Sequence, residues 1–289
     1  MTAEENILAQ ITHLLEEGAM PRSACSGSLL KTLQPLLHAG VVAEERSGGG
    51  RRLVVRDASA LQEFSRLHFP DTPVPGGLSS RATGVARFRD SKTFASDTPE
   101  IVSVRAWSEK ALLQKGQPTG AAAATAQHGV FSFLLAGAAH YALRGPCALV
   151  ENPAVFTQFE YFQLPVGLVI YGHGRASRRF VDWLSTMTSP DFQLLHLPDY
   201  DPVGLTEFER LHRRLGNRAR LYLPHDLDQQ FARFSNNALL KHVNSQSMLA
   251  NLRRTASSEV RHVVALIDRH NAGLEQEALL LKQHIATSQ

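Results

Sequence analysis

Two apolar runs in this chain stop at carboxylates. Cys147-Ala-Leu-Val leads into Glu151-Asn152, and Leu194-Leu-His-Leu-Pro leads into Asp199-Tyr-Asp201. A buried strand that ends in an acid aims that acid at the rim of its sheet, where open α/β folds take their ligands. Asp199 and Asp201 are two residues apart, so extended backbone turns both to one side. Glu151 arrives from a different strand end, placed to bridge to the same ion or to handle protons. Three carboxylates in this arrangement suit a hard divalent cation, and phosphoryl transfer needs little more than such a cation held by acids. A single strand-end acid is commonly a helix cap. A Glu-Asn followed 48 residues later by Asp-x-Asp at a second strand end is far more restrictive.

The elements that must position these acids can be read from the alternating signals of residues 147–289. Strands are expected at 147–151, 166–171, 192–197 and 219–223, and helices at 154–162, 175–184 and 202–215. Strands joined by helical crossovers imply a right-handed, four-stranded parallel sheet flanked by helices. Pro202 stands where the first helical turn tolerates proline. Residues 236–285 read as a helical C-terminal extension. Two further groups border the same rim. Gly172-His173-Gly174 with Arg175, Arg178 and Arg179 is either a phosphate contact, through His173 and the arginines, or a solvated helix face. Asp226 and Asp228 either add to the metal site or cap the helix that follows.

Residues 1–68 have a different layout. Ile7, Ile11, Leu14 and Leu15 mark one helix, stopped by Gly18, and Leu29, Leu30, Leu33, Leu36 and Leu37 mark a later one, stopped by Gly40. Two β-type runs then flank Ser47-Gly-Gly-Gly50 as a hairpin. Helices followed by a hairpin form the layout of a winged helix-turn-helix. Its wing would set Arg46, Arg51, Arg52 and Arg56 on phosphates; the same module also serves purely for protein contacts. Lys31, Gln34 and His38 are poor base readers, so any DNA binding here is expected to be weakly sequence-specific.

Residues 69–146 read as a linker and helical connector. Three prolines and two glycines lie within 69–77. A basic cluster of Arg81, Arg87, Arg89 and Lys92, interleaved with Phe88 and Phe94, is either a phosphate-contacting loop or a solvated connector. Gly116-Gln-Pro-Thr-Gly120 lacks the Gly-Lys-Ser/Thr ending of a phosphate-binding loop. The Ala-rich run from Ala121 to Tyr141 is expected to be a helix.

Composition sets the outer bounds. The 289 residues carry a formal charge of +3 and only two cysteines, Cys25 and Cys147, which excludes a disulfide scaffold or a Cys-rich zinc site. No apolar run is long enough to span a bilayer and the first residues do not resemble a signal peptide, so a cytoplasmic protein with no membrane partner is expected.

Taken together, Val150-Glu151-Asn152-Pro-Ala-Val-Phe156, Pro198-Asp199-Tyr-Asp201-Pro202-Val-Gly204-Leu205 and Leu274-Glu275-Gln276-Glu277 resemble the Toprim nuclease subunit of Wadjet/MksBEF-type plasmid-defence systems (JetD or MksG type). More distantly they resemble the Toprim domain of type IIB topoisomerase A subunits. The resemblance covers the C-terminal half by motif and the N-terminal third by architecture. It implies an α/β protein with a winged helix-turn-helix ahead of a Toprim-like domain. It also implies metal-dependent cleavage of plasmid or phage double-stranded DNA by a homodimer, acting with an SMC-kleisin (MukBEF/MksBEF-like) complex. Glu151 would be general acid/base and metal ligand, Asp199 and Asp201 metal ligands, and either Glu275 or Glu277 a further acid.

Type IIB topoisomerases cut DNA with a tyrosine of the winged helix. Here the first tyrosine is Tyr141, so cleavage is expected to be hydrolytic. Two functions remain open at this stage: an Mg²⁺- or Mn²⁺-dependent DNA endonuclease, and a non-catalytic DNA-binding or assembly protein with a degenerate Toprim scaffold. A primase-like nucleotidyl transferase is disfavoured, because no zinc module or nucleotide loop accompanies the acids.

Overall fold

The computed structural model describes residues 2–70, 76, 79–88, 99–136 and 140–281. The architecture is mixed α/β, in two compact units, Met1–Thr98 and Pro99–Gln289.

In the first unit, α1 (Ala3–Glu17) begins with a reciprocal cap. Thr2 accepts from the Glu5 backbone, and the Glu5 carboxylate accepts from the Thr2 backbone. Gly18, at φ 69°, ends it. After β1 (Ala19–Pro21), the expected single helix is two, α2 (Gly27–Thr32) and α3 (Gln34–His38). Pro35 has no N–H to donate one turn back, so the ladder breaks and restarts. The hairpin forms from β2 (Val42–Ser47) and β3 (Gly50–Val55), and β1 joins it on the far side of β3. Next come α4 (Ala58–His68), capped by Asp57, and α5 (Ser80–Phe88). Ile7, Ile11, Leu14, Leu29, Leu33, Leu53 and Leu61 form the core of this unit.

The second unit is built on a six-stranded sheet. Its elements in chain order are β4 (Glu100–Ala106), β5 (Leu112–Gln114), β6 (Gln117–Pro118), α6 (Ala121–His128), β7 (Phe131–Leu135), β8 (Tyr141–Leu143) and β9 (Pro146–Val150). They continue with α7 (Pro153–Thr157), β10 (Leu168–Tyr171), α8 (Arg178–Ser185), β11 (Gln193–Leu197), α9 (Pro202–Leu215) and β12 (Ala219–Leu221). Three helices close the unit: α10 (Leu227–Phe234), α11 (Ser245–Thr255) and α12 (Ser258–His270).

The sheet order is β12-β11-β9-β10-β4-β7, and its first four strands are parallel. The expected four-stranded parallel sheet is therefore only part of a larger mixed sheet, to which β4 and β7 add antiparallel. Both added strands lie in the stretch read as a helical connector. Their signal is a period of two: Val102, Val104 and Ala106 are buried, as are Phe133 and Leu135. The Ala-rich helix likewise stops early, at Gly129 with φ 83°, and β7 takes over. Strands β5, β6 and β8 make a separate small sheet.

The central strand β9 is covered on both faces, as a buried parallel strand requires. Cys147 and Leu149 pack with Leu194, Phe208 and the α8, α9, α11 and α12 side chains. Ala148 and Val150 pack on the other face with Val155, Phe156 and Phe159. Among the described residues, no helix is long and apolar enough to cross a membrane.

Candidate functional site

Register places the acids. Strands β9 and β11 are direct neighbours, with Leu197 beside Val150, so Glu151 and the Pro198–Asp201 turn leave the sheet side by side. Asp201 is buried and caps α9, accepting from the Gly204 N–H at 2.7 Å. Gly204 must be glycine for space: a Cβ there would stand 2.3 Å from the Asp199 carbonyl oxygen.

A segment from the end of the chain is laid across this turn. Tyr200 and Leu274 exchange backbone hydrogen bonds at 2.8 and 3.1 Å, and the Gln276 N–H donates to Asp199 Oδ1 at 2.7 Å. The buried Gln276 side chain in turn accepts from the Asn152 N–H at 3.0 Å. Asn152 spends its own carbonyl oxygen capping α7, and its amide donates to Glu277. Gly273 completes the fit, since a Cβ there would press on the Asp201 Cβ at 3.1 Å. Of the two tail acids, Glu277 is turned toward the Asp199 side and Glu275 is exposed.

The electrostatics are those of crowded acids. Burial pushes the Asp199 carboxyl up to about 7; the Gln276 N–H opposes this, while Asp201, Glu151 and Glu277 add to it. Asp201 is also raised, first by burial, against the pull of the Gly204 and Val203 N–H groups. Glu151 Oε1 is buried with no hydrogen-bond partner among the described residues. His196 lies beside it, fully buried on the α9 face of the sheet and stacked on Phe208. The His196 Nε2 to Glu151 Oε1 separation is 3.4 Å, but the alignment makes no hydrogen bond.

These features fit a hard cation in donor chemistry: several carboxylates, one with an oxygen that receives no hydrogen bond, in a group whose mutual repulsion a positive charge would relieve. Among the described residues, no three His, Cys, Asp or Glu side chains converge closely enough to hold a metal ion as they stand. Glu151, Asp199 and Asp201 are the side chains that would hold such an ion.

Residues 141–286, just over half of the chain, match the family described as "Domain of unknown function (DUF7281)". The chain belongs to the DUF7281 family. A comparison with curated proteins finds no match. The DUF7281 region contains both acid-bearing strand ends and the tail that ties them together.

Other expected site residues sit differently. His173 is exposed in the left-handed region at φ 51°, against the Tyr171 ring. Arg175 reaches the buried Glu207 at 3.4 Å. Asp228 pairs with Arg269, and Asp226 accepts from the Gln230 side chain, so neither is shown joining the acids. On the N-terminal hairpin, Arg51 pairs with Glu44, while Arg52 and Arg56 pair with Glu45; Arg46 is exposed. The wing arginines are thus partly neutralised by acids of their own hairpin. Arg89 and Lys92 lie outside the described residues. A cleft of about 770 Å³ in the second unit is lined by Tyr141, Arg144, Thr186 and Asp191 at the opposite end of β9, away from the acids.

Sequence reading missed His196, the roles of Asn152 and Gln276, and the two close-packed glycines. His196 carried a usable signal, being a polar residue inside an otherwise apolar strand. The Gln276 contacts carried none, because their partners are 77 and 124 residues away.

Proposed function

We propose that the chain is a divalent-metal-dependent DNA endonuclease with a Toprim-like catalytic domain. One observation carries this reading: Glu151, Asp199 and Asp201 stand at the ends of two adjacent parallel strands with Glu277 of the tail turned toward them, and burial, with the neighbouring acids adding to it, raises the Asp199 carboxyl to about 7. A protein that places several partly buried acids together spends stability on them, and clusters of this kind mark functional sites. Mg²⁺ or Mn²⁺ bound there supplies Lewis-acid stabilisation of charge on a phosphodiester oxygen. Asp199 and Asp201 hold the cation, their orientation set by the Gln276 and Gly204 N–H groups. Glu151 Oε1, free of donors, is the atom placed to accept a proton from attacking water.

The helices and three-stranded sheet of the first unit support a winged helix-turn-helix reading, with DNA as its ligand. The motif resemblance extends the proposal to plasmid or phage DNA as substrate, a homodimer, and an SMC-kleisin partner complex. Purified protein should nick or linearise supercoiled plasmid with Mg²⁺ or Mn²⁺, stop with EDTA, and leave ends free of protein. Asp199→Asn with Asp201→Asn should lower the rate by at least about a hundredfold, given the several kcal/mol a catalytic metal contributes. Wild-type cleavage by that double variant would overturn the proposal.

The lack of a ready-made three-donor metal group among the described residues favours a second reading, a non-catalytic DNA-binding or assembly protein. On that reading the acid substitutions leave function intact, whereas Arg51→Glu with Arg52→Glu abolishes it.

A further inference from the structure

Helices α8 and α9 lie side by side on one face of the large sheet, and a cleft of about 250 Å³ opens between them. It is lined by Arg178, Arg210, Arg213 and Arg214, with Val181 and a single acid, Asp182. Asp182 contacts both Arg178, at 3.6 Å, and Arg214, at 2.8 Å, from the middle of the group. Arg210 is held by the buried Glu207 and by the Ala176 carbonyl. Arg213 is exposed and, among the described residues, bonds a backbone carbonyl, that of Glu209. With Arg175, which shares Glu207, five arginines face two carboxylates.

Such an excess on two packed helices is a positive patch open to solvent, whose charges lie close enough together to act jointly on an anion. Glu207 and Asp182 pre-order Arg210 and Arg214, so these two have less side-chain entropy to lose when an anion binds. Guanidinium groups match phosphate oxygens with paired donors.

We propose that this cleft grips the sugar-phosphate backbone of double-stranded DNA. The assignment rests on the nuclease reading and gives it a backbone-holding surface. No aromatic side chain lines the cleft, so it offers bases no stacking platform, and stacking is what single-strand sites rely on. Contacts with phosphate alone hold a duplex without reading its sequence. Asp201 caps α9, and the helical rise of ~1.5 Å per residue puts Arg210 roughly 14 Å and Arg213 roughly 18 Å along it. At ~3.4 Å of duplex axis per phosphate of one strand, that is a reach of about four to five base pairs from the acids.

The test is binding of the full chain to a labelled duplex in EDTA, followed by fluorescence anisotropy across a salt series. Arg178→Glu with Arg213→Glu should weaken Kd at least about tenfold, and should flatten the slope of log K against log salt by about two, one per arginine. Arg178→Lys with Arg213→Lys should restore most of the binding. Arg220→Glu, the same charge reversal on β12 outside the cleft, should change Kd less than about twofold on the same counter-ion argument.

The cleft assignment is overturned if the double reversal binds duplex like wild type with an unchanged slope. It is also overturned if single-stranded DNA or duplex RNA binds more tightly with the same arginine dependence. Acid-dependent plasmid cleavage alongside normal binding by the double reversal would remove the cleft and leave the nuclease reading standing. No duplex binding by wild type, together with no cleavage, would remove both.

Discussion

The acid rim of the second unit and the charged hairpin of the first handle charge in opposite ways. At the rim, carboxylates of one sign are gathered in a half-buried place and receive mainly backbone N–H groups. On the hairpin, Glu44 and Glu45 are interleaved with Arg22, Arg51, Arg52 and Arg56 in ion pairs open to water. The first arrangement raises energy until something positive arrives; the second is close to self-sufficient. Exposed pairs contribute little to stability, typically about 0–1 kcal/mol each, whereas unpaired buried charge costs several. Where a fold tolerates the expensive arrangement, binding or catalysis is the economical explanation.

The sharpest way to break this contrast is through pH. An isolated aspartate titrates near 3.8, and Asp199 does so at about 7 in the folded protein. The folded state therefore holds the Asp199 proton more tightly than the unfolded chain. The associated stability is fully present below about 4 and is lost as pH rises through about 7. At about 1.4 kcal/mol per pH unit the ceiling is about 4 kcal/mol. Metal-free Asp199→Asn should consequently be more stable than wild type at pH 8 by up to that amount and nearly equal to it at pH 4, in urea unfolding. Millimolar Mn²⁺ should stabilise wild type at pH 8 and leave the variant unchanged. A variant destabilised equally at both pH values would mean that Asp199 is a structural cap and the rim is not under electrostatic load.

Gly204→Ala comes next in size. Its Cβ would meet the Asp199 carbonyl at 2.3 Å, so either the helix start or the Asp199 turn must move. Overpacking of this kind costs about 3 kcal/mol. The Mn²⁺-induced stabilisation should vanish along with it, because the displaced turn carries two donors. Unfolding curves with and without Mn²⁺ check both effects.

How far the molecule could be read in advance follows the same division between local and distant causes. Glu151, Asp199 and Asp201 were legible because an apolar run ending in acid is a pattern of a few consecutive residues. The parallel strands between them were legible for the same reason. Strand β4 escaped because Ile101 and Arg105 alternate with Val102, Val104 and Ala106, a period-two signal masked by the Gly- and Ala-rich sequence after it. The tail's hold on the site was not legible at all. That Gln276 serves both Asp199 and Asn152 depends on a chain reversal that no local propensity encodes. The hairpin is an intermediate case: its strands were legible, but the Glu45–Arg52 opposition appears only once the register about Gly48-Gly49 is set.

Gln276→Ala tests that distant hold. It removes the acceptor of the Asn152 N–H and keeps the backbone donor to Asp199, so the expected cost is about 2 kcal/mol, that of one poorly satisfied buried group. Hydrogen exchange at Asn152 should quicken while that of Gln276 changes less. Equal quickening at both amides would mean that the tail lifts as a whole and that the side chain does not act on its own.

The smallest effect is expected on the hairpin, where the contrast predicts near-indifference. Glu45→Gln removes the common partner of Arg52 and Arg56, yet both arginines are about half exposed or more and water replaces the lost contacts. Stability should fall by less than about 1 kcal/mol, and 0.5 M NaCl should erase the difference, since exposed charges are screened within a few ångströms at that salt. If the hairpin is also a DNA contact, the same variant should bind duplex more tightly at low salt, having two fewer competing carboxylate contacts. A loss of several kcal/mol instead would make the hairpin charges structural in the way the rim charges are not, and the division drawn between the two regions would fail.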